Sequence, residues 1–142
     1  MDIPPWSIPV LLAVMLVATT VIERMSAGRI PNPWILLNVV VAVAVTAVTG
    51  AWSMLIGGLI LFCLMFVLWR QGVAGGGLAK LSLAVGILLG AIPAAIGGAA
   101  AVVIALVLTR VLKTQIGTMP GGIVLLLVSA IGIGSQMLMQ GQ

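Results

Sequence analysis

The sequence has no histidine, one cysteine and two acidic residues, Asp2 and Glu23, in 142 positions. Each shortage removes a class of chemistry. A protein-held transition metal needs several nitrogen, thiolate or carboxylate ligands, and this chain is not expected to gather them. Cys63 has no partner for an intrachain disulfide or a multi-thiolate site. No cofactor is expected. Charge is scarce too, at 6% of residues against about 25% in a soluble domain. What fills the space is apolar: 63% of the chain, with a mean hydropathy of +1.39. A water-soluble core leaves no place for so many apolar side chains, so the chain reads as an integral membrane protein. A net charge of +4 rests on six basic residues at helix ends and does not indicate nucleic acid.

Transmembrane strands alternate polar and apolar residues, whereas "MLIGGLILFCLMFVLW" is apolar on both parities. Helices are therefore predicted. At about 20 residues per crossing, a single domain over residues 1–142 accommodates six helices at most. The expected spans are Ser7 to Ile22, Pro33 to Val48, Ser53 to Trp69, Leu78 to Ile92, Gly97 to Val111 and Gly121 to Met139. The fourth is expected to end at Pro93, within "GAIPAAIGG". The first segment is preceded by Asp2 and prolines and followed by charges, the reverse of a secretory signal, and reads as a retained helix.

Basic residues support this layout. Arg24 and Arg29 follow helix one, Arg70 and Lys80 separate helices three and four, and Arg110 and Lys113 separate five and six. With six crossings, the loops 23–33, 70–80 and 110–120 share one side, and the remaining loops carry no lysine or arginine. Basic short loops mark the cytoplasmic face, so both termini are expected outside. Trp6 and Trp52 then fall at the outer boundary, Trp34 and Trp69 at the inner one, where tryptophan is favoured. Glycines spaced as in "GILLG", Gly86 to Gly90, allow helices to approach closely in lipid, and packing within the chain is favoured over a dimer face.

Three sequence features on the expected cytoplasmic side occur in order: "ERMSAGRIPNPW" with Ile30, Pro31 and Asn32; "GGGLAKL" with Gly75, Gly76, Gly77, Lys80 and Leu81; and "TMPGGIVLLLVSAIG" from Thr118, with Pro120 and Gly122. Together they resemble the membrane domain of bacterial type IV prepilin peptidases, in the short form without the cysteine-bearing cytoplasmic domain. The resemblance implies a six-helix bundle in the bacterial inner membrane and a pair of catalytic aspartates. One aspartate belongs six residues before the isoleucine of IPN, and the other follows the glycines. Here those positions are Arg24 and Leu78.

The loss matters chemically. An aspartic protease needs two carboxylates that share a proton, leucine offers no proton exchange, and arginine stays protonated. Asp2 lies across about 30 Å of hydrocarbon from the motif loops. Glu23 has two readings: a surviving half of the pair, or an interfacial carboxylate that is solvated or paired with Arg24 or Arg29. The second is favoured.

Lys80 is expected to extend toward headgroups, with substrate contact as the alternative. Asn38 and Ser53 read as cross-helix hydrogen-bonding residues. Lys80 and Ser82 do not form a catalytic pair, because side chains two apart on a helix diverge. The eight methionines read as packing filler. Coupled transport normally places an ionisable group within the membrane, and no charge lies mid-span. The expected function is thus a non-catalytic relative of prepilin peptidases, a scaffold or accessory subunit. Its expected partners are lipids and the transmembrane helices of pilin-like proteins or a larger complex. The alternatives are an atypical leader peptidase using Glu23 and a lipid- or pigment-binding protein.

Overall fold

A computed structural model describes residue 4, residues 6–112 and residues 121–141. Six helices account for nearly all of them: α1 Ser7–Met25, α2 Asn32–Thr49, α3 Met54–Arg70, α4 Gly76–Leu89, α5 Ala91–Leu112 and α6 Gly121–Gln140. There is no strand among the described residues.

The helix ends follow local chemistry. Pro31 is extended (φ −64°, ψ 137°) and Pro33 sits in the first turn of α2, where a missing N–H costs nothing. Gly50 ends α2 in the left-handed region (φ 68°), the conformation glycine adopts without a side-chain penalty. After α1, the Gly28 N–H donates to the Glu23 carbonyl at 2.9 Å, closing the wide turn typical of helix C-termini. Ala27 occupies the left-handed position of that turn, with φ 53°. An L-residue is strained there, so Ala27→Gly is expected to stabilise the protein by about 0.5–1 kcal/mol. A rise in the thermal midpoint in detergent would register it.

One expected boundary is corrected. The fourth helix stops at Leu89 rather than Ile92, because Gly90 turns the chain at φ 83°. Pro93 does not end a helix; it lies in the first turn of α5, where amide hydrogens have no intrahelical partner anyway. At the other end, α4 begins at Gly76 rather than Leu78. Two of the three glycines are therefore helical residues, not loop.

α4 is the centre of the bundle and packs against all five other helices. Ten of its fourteen residues are buried, which explains why its sequence is apolar on every face. At 1.5 Å per residue it is about 21 Å long, short of a hydrocarbon core of about 30 Å. Among the described residues, three helices are long and apolar enough to cross a membrane: Ser7–Met25, Asn32–Thr49 and Ala91–Val111, with hydropathies of 1.9, 1.8 and 2.4. Their outer faces carry exposed Val14, Val17, Leu36, Val40, Val103 and Val107. An apolar exterior around a packed interior supports a membrane protein.

Glycine sets the closest helix contacts. A methyl group on Gly58 would lie 2.5 Å from Ile87 Cγ1, and one on Gly86 would meet the Gly57 carbonyl and lie 2.8 Å from Gly58 Cα. Gly97 faces the Val128 carbonyl, and Gly132 the Pro93 carbonyl at 2.8 Å from the same hypothetical atom. The "GILLG" spacing thus serves α3–α4 packing within the chain. These contacts also set direction: α3 runs antiparallel to α4, and α6 antiparallel to α5.

Candidate functional site

The two halves of the family-like motif meet at one end of the bundle. α1 finishes there, the turn 26–31 leads into α2, and α4 begins. Ile30 packs against Gly77 so closely that a methyl group on the glycine would lie 3.1 Å from Ile30 Cβ. Gly76 faces the indole nitrogen of Trp69 at 3.2 Å by the same measure. Gly75 is extended (φ −74°, ψ 151°) and open to one side. The glycines therefore let α4 start hard against both neighbouring segments, where larger residues would push it away.

Leu78 follows them in the first turn of α4 and is 2% exposed, within the continuous apolar core. Leu81 is buried beside it in sequence, and Lys80 is exposed. Ser82 is buried and its hydroxyl donates to the Ala79 carbonyl at 2.6 Å, so the Lys80 and Ser82 side chains go opposite ways, as spacing requires. Arg24 and Asn32 are exposed and Pro31 half-buried. Gly122 lies in the first turn of α6; Lys113, Thr118 and Pro120 lie outside the described residues, as does Asp2.

Of the favoured expectation for Glu23, an interfacial carboxylate that is solvated or paired with Arg24 or Arg29, burial bears on solvation alone. The residue is 9% exposed. The cause is its place on the inner stripe of α1, which continues Leu12, Leu16 and Thr19 at helical spacing. Thr19, one turn earlier and fully buried, donates from its hydroxyl to the Met15 carbonyl at 2.7 Å and accepts from the Trp34 indole N–H at 2.9 Å. That bond ties α1 to α2. The amide of Asn38, expected to bond across helices, donates within α2 to the Trp34 carbonyl at 2.6 Å. Ser53 is exposed just ahead of α3, with no side-chain cap bond. Trp34→Phe removes the bond from the Trp34 indole to Thr19 and is expected to cost about 1 kcal/mol, read as a lower midpoint of denaturation in detergent.

The sequence signal for this polar seam was present as two i, i+4 pairs, Thr19/Glu23 and Trp34/Asn38, on stripes that also carry Leu12 and Leu16 in α1 and Ile35 and Ala42 in α2. Among the described residues Glu23 is the only carboxylate side chain, and no group of three metal-ligating side chains occurs. The site presents one buried acid. It offers no second acid where the glycine-led helix would present one.

No protein-family model, curated protein or solved structure matches the chain. The resemblance to prepilin peptidases therefore stands on the motif residues alone.

Proposed function

We propose that this protein is a six-span, prepilin-peptidase-like component of the bacterial inner membrane that has lost hydrolysis and works by holding transmembrane helices, as a scaffold or accessory subunit. The observation that carries this reading is Leu78: the position from which the motif would present an aspartate is filled by a leucine sealed in the core. Water has no access to such a residue, and hydrolysis by the aspartic route requires water between two acids. The six-span topology has the basic loops cytoplasmic and both termini outside. Its support is that Arg24, Arg29, Arg70, Lys80 and Arg110 all fall where α1, α3 and α5 finish or α4 starts. The apolar outer faces of α1, α2 and α5 offer surface to partner helices.

The test is incubation of the purified protein with pilin-type precursors. No leader removal is expected, and wild type and Glu23→Gln should be indistinguishable. Cleavage that disappears in Glu23→Gln would overturn the proposal in favour of an atypical peptidase, the reading that the burial of Glu23 supports. Purification from native membranes in mild detergent is expected to retain a stoichiometric membrane-protein partner.

A further inference from the structure

The opposite end of the bundle holds a feature that helix binding does not use. α4 stops level with Gly57, one turn inside the start of α3: a methyl group on Gly57 would collide with Gly90. Two adjoining clefts, of about 170 and 300 Å³, open above the end of α4, and Met54, Leu89 and Gln136 border both. The smaller runs along Ile8 and Leu12 of α1 and Ile133 of α6. The larger covers the α4–α5 junction.

That junction leaves backbone acceptors over. α5 starts directly after Gly90, whose N–H donates to the Gly86 carbonyl at 3.0 Å, while Ala94 N–H donates to the Gly90 carbonyl at 3.1 Å. Among the described residues, the carbonyls of Ile87, Leu88 and Leu89 receive no backbone hydrogen bond. Leu88 and Leu89 border the smaller cleft, and at membrane depth an acceptor without a donor is costly. A helix C-terminus also carries partial negative charge, which a lysine or arginine commonly offsets. Here Arg24, Arg29, Arg70, Lys80 and Arg110 are all at the far end.

We propose that this cleft binds a phospholipid with a primary-ammonium headgroup. The ammonium donates to the terminal carbonyls of α4, where its charge also meets the negative end of the helix, and an acyl chain lies along Ile8, Leu12 and Ile133. The amide of Gln136 supplies both a donor and an acceptor for the phosphate and ester oxygens. Trp6 and Trp52, exposed just before α1 and α3, are side chains that settle at headgroup depth, which sets the cleft at the level such a lipid occupies.

The experiment uses the full chain in nanodiscs of equal phosphatidylethanolamine, phosphatidylcholine and phosphatidylglycerol with identical acyl chains, followed by native mass spectrometry. Phosphatidylethanolamine is expected to be retained about fivefold over each of the others, a ratio equivalent to about 1 kcal/mol. Phosphatidylcholine keeps the charge but has no N–H, and phosphatidylglycerol lacks the cation. Equal retention of the three lipids, or preference for either of the other two, overturns the proposal. Filling the cleft with Met54→Trp, or with Gln136→Trp at an exposed position, is expected to abolish the preference; its persistence in both variants overturns the assignment to this cleft.

Discussion

Leu78→Asp is expected to destabilise the bundle by about 4 kcal/mol and to confer no peptidase activity. Truncating a buried leucine costs about 2–5 kcal/mol through lost contacts and the cavity left behind. A carboxyl group placed there has no water, so it stays protonated and adds an unsatisfied polar group to the core. The two residues before Leu78 are closely packed as well: Ile30 lies against Gly77, and Trp69 against Gly76. Leu78→Met, which conserves volume and polarity, should cost less than about 1.5 kcal/mol. Denaturant titration of purified protein in micelles separates the two. If the aspartate variant proves as stable as wild type, water already reaches this position and the account of lost chemistry fails. Leader cleavage by Leu78→Asp would fail it more directly.

Gly86→Ala is expected to be about as damaging, costing about 3 kcal/mol or more, from the addition of one methyl group. The added carbon would strike the Gly57 carbonyl and lie 2.8 Å from both Gly58 Cα and Leu61 Cβ. Two of those are backbone atoms of the facing helix, so relief requires α3 and α4 to separate along their length, and overpacking of a tight core is costly. Gly75→Ala is the matched control: φ is −74° and no atom lies within 4 Å of the added carbon. It should change stability by less than about 0.5 kcal/mol. The same titration reads both, and comparable losses at the two sites would show that α3–α4 contact is looser than described.

Apolar length and glycine spacing made much of this architecture readable before the fold was seen. Helices α1, α2, α3 and α6 begin and end within about three residues of expectation, because proline, glycine and charged residues punctuate them. The α4–α5 junction was misplaced because proline is a visible helix breaker, whereas the actual break depends on the left-handed backbone of Gly90 three residues earlier. A proline in a first helical turn looks the same in sequence as one after a last turn. At the candidate site, the contact between the "RIPN" and "GGG" segments follows the motif order. The burial of Glu23 was not legible because a carboxylate near two arginines suggests solvent or an ion pair at the interface, and that outweighed the helical phase of Leu12, Leu16 and Thr19. The Thr19–Trp34 bond depends on how α1 and α2 approach each other, which neither segment specifies alone. The carbonyls left over at the end of α4 were not legible at all, since they arise from one turn of missing helix.

The central position of α4 bears on how the protein is made. Three helices leave the ribosome before the one they all pack against, and that one is short and carries Lys80, features that disfavour entry into a bilayer on its own. The interlocked glycines of α3 and α4 offer a remedy. On the proposed six-span topology, α4, paired with α3 across a five-residue connection, would enter as the second arm of a preassembled hairpin, with the longer arm carrying it in. Biogenesis would then hinge on residues 57, 58 and 86 as much as the finished fold does.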